Sequence, residues 1–194
     1  NFIDDNFTAD PRFAMDLCRG IIGLNLPDAR FASPSGVRMH TGAFAMWELM
    51  KKAGWRTVII APESGSEQTL QRMNKQVDLT IVPEVIADIR RAGLSVEGYF
   101  MVGYPGETMA DIEKTVRFIK DHDFDMVGLH NFQPIPGTPV FNELVAAGEI
   151  PSDALPGAFG FGRRMYVPPG LREFNFNRLS LTLYLTFMFR KPRY

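Results

Sequence analysis

A chain of 194 residues with 21 Lys and Arg against 22 Asp and Glu has a formal net charge of −1, which argues against a reader of nucleic-acid phosphates, since that role calls for a basic excess. Its 45% apolar and 22% charged residues match a globular domain, and 16 Phe supply ample core material. The one cysteine, Cys18, excludes an internal disulfide, and a cysteine-ligated iron–sulfur cluster or Cys-rich zinc site built from this chain alone.

In chain order, residues 2–4 read as a first strand ending in Asp4-Asp5. Asp10-Pro11 opens a helix, as N-cap and first helical residue. Phe13, Leu17 and Ile21 recur on one apolar face, with Cys18 beside them as a buried, inert thiol. Residues 30–33 read as a second strand, and 42–53 as a helix closed by Gly54. The apolar run 57–61 has the pattern of a strand buried on both faces. Ser66 opens a short helix to Met73, and Thr80 one to Ala92 that Gly93 stops.

The fourth strand is 96–102. Thr108 and Asp111 form a capping-box pair ahead of Ile112, Val116 and Ile119. The fifth strand is 126–132, and Thr138-Pro139 opens a helix ended by Gly148. Strand starts near 1, 30, 56, 95 and 126 have the spacing of successive βα units, which predicts a parallel sheet with right-handed crossovers. Regularity then fails: residues 151–170 hold four Pro and four Gly and read as a long loop, with a last helix over 175–190. The expected organisation is a partial (β/α) barrel over 1–148 and a C-terminal loop and helix over 149–194. No apolar run reaches the ~18 residues of a membrane span. No secretory signal is seen, so a cytoplasmic protein is expected. The chain begins within a strand, so a piece of a longer protein is expected.

Each strand ends in distinctive chemistry: Asp4-Asp5-Asn6; Ser33 to Gly36, with Arg38 and His40 beyond; Glu63 to Ser66; Gly103 to Glu107; and Gln133 to Thr138. In a parallel sheet these ends share one edge, where α/β folds bind ligands. Asp4 and Asp5 suit a metal, an ammonium group or helix capping. Glu63 suits ribose-like hydroxyls or an amine. Glu107 reads as serving the next helix N-terminus. His130 suits a pocket or a satisfied core position, and His122 a surface helix end.

Together these strand-end motifs resemble the radical S-adenosylmethionine (SAM) superfamily, in particular members with an upstream cobalamin-binding domain. The resemblance rests on Phe2-Ile3-Asp4-Asp5-Asn6-Phe7-Thr8, on Pro34-Ser35-Gly36-Val37-Arg38, and on Ala61-Pro62-Glu63-Ser64-Gly65-Ser66. It continues through Met101-Val102-Gly103-Tyr104-Pro105-Gly106-Glu107-Thr108 and Pro134-Ile135-Pro136-Gly137-Thr138-Pro139. It implies about five strands of a six-stranded barrel, an enzyme that cleaves SAM reductively for radical C–H chemistry or methyl transfer, and a [4Fe-4S] cluster on a CxxxCxxC loop. That loop is not in this sequence, so the cluster strand would precede it and the piece alone would be inactive.

The resemblance further implies that Asp4 and Asp5 lie near the methionine ammonium and Arg38 near its carboxylate. Glu63 and Ser64 would lie near ribose or methionine groups, Gly103 beside adenine, and Gln133 at the same edge. Cobalamin would come through the upstream domain. A small-molecule or lipid-like substrate is expected, the latter because residues 159–166 are aromatic-rich, although packing under a loop explains that equally. An uncovered first strand would favour a dimer. Two rivals stand: a doubly wound nucleotide- or flavin-binding sheet, against which the absence of GxGxxG counts, and a degenerate barrel used for protein contacts.

Overall fold

The computed structural model describes residues 1–154 and 166–189. Its sheet has three parallel strands, β1 (Thr57–Glu63), β2 (Ser95–Val102) and β3 (Met126–Asn131), in the order β1-β2-β3. The register sets Thr57 against Ser95 and Glu97 against Met126.

The first two expected strands form no ladder, yet they run where expected. The Phe2 N–H donates to the Ala32 carbonyl at 2.9 Å, Phe31 bridges Trp55, and Val37 bridges Ile60, both bridges parallel. Between the bridges Pro34 has no N–H to give, and the Gly36 N–H closes a turn on the Ser33 carbonyl at 3.0 Å with φ +89°. The first segment ends where the Asn6 side chain accepts from the Thr8 N–H. All five segments therefore lie beside their neighbours in chain order. That succession belongs to a partial (β/α) barrel wall; a doubly wound sheet reverses its order at a switch point.

The helices follow from local chemistry. Helix α1 (Pro11–Gly23) starts where Asp10 accepts from the Arg12 and Phe13 N–H groups. Its buried face is Ala14, Cys18 and Ile21 rather than Phe13, Leu17 and Ile21; Phe13 is 64% exposed. Small Ala14 and Cys18 let α1 approach α2 (Phe44–Ala53), which Gly54 ends at φ +117°, where a Cβ would sit 2.8 Å from the Ala29 carbonyl oxygen.

Ser66 caps α3 (Glu67–Arg72). A 3₁₀ turn over Leu79–Ile81, capped by Asp78, takes the place of the expected first turn of α4 (Val82–Arg91). The Thr108–Asp111 capping box opens α5 (Met109–Asp121), Thr138 caps α6 (Pro139–Ala146), and Asn175 caps α7 (Phe176–Met188). Within the expected loop over 151–170, Pro169–Leu171 form a 3₁₀ turn. Residues 155–165, and with them nearly all of the aromatic stretch 159–166, lie outside the described residues.

Val58 and Ile60 of β1, and Val96, Phe100 and Val102 of β2, are buried and share the main cores with Trp47, Trp55, Met50, Ile89 and Ile112, and Gly98 between them is buried too. The alternate residues, Ile59 of β1 and Glu97, Tyr99 and Met101 of β2, are only half-buried, so β1 is not closed on both faces as its apolar run predicts. Helix α7 packs on β3, with Leu183 and Phe187 in the main core. Among the described residues no helix is long and apolar enough to cross a membrane.

Candidate functional site

The C-terminal ends of β1, β2 and β3 carry the distinctive loops. Glu63 closes β1 with φ +65°, a conformation costly for a residue with a Cβ, and its carboxylate meets Lys75 Nζ at 2.7 Å. The next residues tie this loop to the helices. Ser64 is fully buried; its hydroxyl pairs with that of Thr115 at 3.0 Å and accepts from the Ser66 N–H at 3.1 Å. The Ser66 hydroxyl donates to Asp111 at 2.6 Å.

Asp111 is a buried node. Burial alone would raise its pKa, but donation from the Ser66 and Thr108 hydroxyls and the Thr108 N–H, with Arg72 at 3.4 Å, holds it down at about 2.

At the end of β2, Gly103 is buried with φ +83°, and its N–H donates to the Glu107 carboxylate. Glu107 is 3% exposed, and among the described residues its Oε1 has no hydrogen-bond partner. Burial pushes its pKa up to about 7, against the lowering effect of the Gly103 and Tyr104 N–H groups. The sequence points to Glu107 as a helix-terminus residue; the structure gives that duty to Thr108 and Asp111 and turns Glu107 back to the strand end. Asn131, paired with Val102 across the sheet, also buries an Oδ1 that has no partner among the described residues. Sequence reasoning passes over Asn131, because nothing in a strand sequence marks an amide that will be left unsatisfied.

Glu63, Gly103 and Gln133 thus share one edge with Glu107 and Asn131. Val37 against Ile60 brings Arg38, which is exposed, beside the same end, and the Arg38 N–H donates to the Thr8 hydroxyl at 3.1 Å. Asp4 and Asp5 are exposed, and among the described residues no hydrogen bond or ion pair joins them to that edge. His122 bonds the Phe118 carbonyl at 2.7 Å and stacks on its ring, and His130 is exposed on β3. Cys18 is fully buried and its pKa is raised by burial to about 11. Among the described residues no group of three His, Cys, Asp or Glu is placed to hold a metal.

A parallel sheet whose strands follow one another in chain order is the wall of a partial (β/α) barrel, with Glu63, Gly103 and Gln133 at its C-terminal edge. Residues 16–119, more than half of the chain, match the Radical SAM superfamily, and the chain belongs to it. It is 29% identical over 145 residues, 75% of its length and 31% of the relative's, to an uncharacterized methyltransferase of Pyrococcus horikoshii. It is 26% identical over 160 residues, 78% of its length and 29% of the relative's, to cytidylyl-2-hydroxyethylphosphonate methyltransferase of Streptomyces wedmorensis. Among solved structures it resembles the radical SAM methyltransferase TsrM of Kitasatospora setae with tryptophan and a SAM analogue bound. The TM-score is 0.67 at 15% identity, over 94% of this chain and 41% of that one; a second TsrM structure, with cobalamin and a [4Fe-4S] cluster, gives 0.64 at 18% identity over 84% and 34%. The chain spans about a third of the length of these curated relatives.

The superfamily implies SAM and a [4Fe-4S] cluster. The cluster does not fit this chain's own residues, because the single thiol is enclosed in α1 and three thiolates are needed. SAM does fit the chemistry of the strand-end edge: the Glu63 carboxylate, half-buried at the end of β1, is an acceptor for a ligand rich in donors, with an ammonium, an exocyclic amine and two ribose hydroxyls.

Proposed function

We propose that this chain forms the SAM-binding wall of a radical SAM methyltransferase that acts on a small molecule. The observation that carries the reading is the Glu63 carboxylate at the C-terminal end of β1, in a chain whose residues 16–119 match the Radical SAM superfamily. The methyltransferase names of its relatives support methyl transfer as the reaction class. The TsrM structures support a cobalamin-dependent variant with a small-molecule substrate, the cobalamin and the cluster being held outside this chain in a longer cytoplasmic protein.

SAM would supply an electrophilic methyl group or, on one-electron reduction, a carbon radical. This chain's residues bind and orient it. Glu63 accepts from a ribose hydroxyl, with Lys75 Nζ at 2.7 Å fixing where the carboxylate lies. Gly103 lets the backbone lie against the adenine face. Asp4 and Asp5 attract the methionine ammonium, Arg38 its carboxylate, and Gln133 donates from the third strand end. Ser64, its hydroxyl engaged by Thr115, supports this edge by fixing the loop to α5. The exposed edge beyond Phe2, with Ile3 79% exposed, suits pairing with a second copy, which sedimentation at micromolar concentration reads as a dimer.

The test is calorimetric titration of SAM into the cluster-loaded full-length protein. Glu63→Ala weakens binding by about 1–3 kcal/mol, the cost of leaving a polar partner unpaired. Unchanged affinity sinks the Glu63 assignment.

A further inference from the structure

The inner face of the sheet, opposite the helix-packed one, carries chemistry that the strand-end site does not use. Register places Ile59, Glu97 and Met126 in one layer, Tyr99 and Gly128 in the next, and Met101 and His130 above them. At about 3.3 Å per residue, the polar members Glu97, Tyr99 and His130 form a column ~13 Å tall that ends near the C-terminal edge.

The column is built rather than incidental. The Tyr99 and His130 rings meet edge to face at 5.3 Å between centroids. Gly128 makes room for that contact: a Cβ there would lie 2.9 Å from Tyr99 Cδ1 and 3.1 Å from His130 Nε2. Glu97 is half-buried, and among the described residues no hydrogen bond or ion pair reaches it. Burial raises its pKa and that of Tyr99, to which the Glu97 charge adds a smaller upward push. No Lys or Arg lies among the paired residues of this face. A half-buried carboxylate without a cation is costly, and the cost is removed by a ligand that brings one.

We propose that Glu97, with Tyr99 and His130, is a substrate subsite on the inner face of the barrel that takes a protonated amine carried on an apolar or aromatic body. Glu97 supplies the counter-charge, the Tyr99 ring a face for the cation and its hydroxyl an acceptor, and Met101 and Met126 the apolar lining. The proposal rests on the SAM-binding reading, since it places the amine-bearing substrate below the SAM edge.

The experiment titrates 2-phenylethylamine, and separately phenylacetate, into the full-length protein saturated with SAM. The amine binds and the anion does not. Glu97→Gln, which keeps the shape of the side chain, weakens the amine by about tenfold or more while SAM affinity stays within about twofold. Tyr99→Phe weakens the amine less, because the ring face remains. Equal binding of phenylacetate, no binding of the amine to the SAM-loaded protein, or an amine affinity indifferent to Glu97→Gln overturns the subsite. Loss of SAM binding in the unaltered protein instead overturns the SAM reading, and amine titration without SAM then decides the subsite separately.

Discussion

Glu107 shows how one side chain is fixed by two opposed demands. The backbone turn at Gly103 needs an acceptor for its N–H, and the carboxylate of Glu107 provides it from a buried position. Burial leaves the charged form poorly solvated, the other oxygen having no partner among the described residues, and the pKa rises from 4.5 to about 7. Because the folded value lies above the unfolded one, the contribution to stability is full below pH 4.5 and is lost as pH rises through about 7. Linkage puts that loss at ~3 kcal/mol. Glu107→Gln keeps an acceptor for Gly103 and removes the ionisation. The variant gains on the natural protein as pH rises from 5 to 8, by urea unfolding at both values; parallel curves for the two proteins contradict the raised pKa. The sequence shows a Glu before a helix and points to the helix. Only the fold reveals that Thr108 and Asp111 already satisfy that terminus.

At the scale of elements, the helices were legible because their ends are written in side chains that bond the backbone locally: Asp10, Ser66, Thr108, Thr138 and Asn175 each cap the helix they precede. The ladders of the first two strands were less legible, since whether Phe31 and Val37 pair continuously depends on what Pro34 and Gly36 do between them. The buried face of α1 was misread for a related reason: periodicity admits two neighbouring stripes, and the choice of Ala14 and Cys18 over Phe13 is made by close approach to α2. Close approach also explains Gly65, whose φ is ordinary. A Cβ there would lie 2.6 Å from Phe118 Cβ and 2.8 Å from Thr115 Cα, inside α5. Gly65→Ala therefore pushes the Glu63–Ser66 loop off α5 and strains the hydrogen bond from the Gly65 N–H to Thr115 at 3.1 Å. Overpacking of this kind costs about 1–3 kcal/mol. A lowered thermal midpoint with weaker SAM binding is expected, whereas an unchanged midpoint means that α5 yields without cost.

Across the whole molecule, the wall of the barrel and the chemistry of its edge are separable. Strands in chain order and helices packed on one face need no metal to be defined, and they were largely readable from alternating periodicity and strand-end motifs, whereas the buried Glu107 and Asn131 acceptors were not. The inner-face column was not, because Glu97, Tyr99 and His130 stand on two strands and meet only through register. The cluster question is settled by counting thiols rather than by geometry. Cys18 lies on the buried side of α1 with 0% exposure, and burial raises its pKa to about 11, so at neutral pH it is a protonated thiol out of reach of iron. Three thiolates on an open loop are required to leave one iron free for SAM, and this chain offers one enclosed thiol. Anaerobic treatment of the chain with iron and sulfide is accordingly expected to leave less than stoichiometric iron and no charge-transfer absorbance, and Cys18→Ala is expected to change neither. A full cluster on the unaltered chain, lost in Cys18→Ala, would show α1 opening to expose its inner face, and would overturn both the packing of α1 on α2 and the assignment of cluster ligands to residues outside this chain.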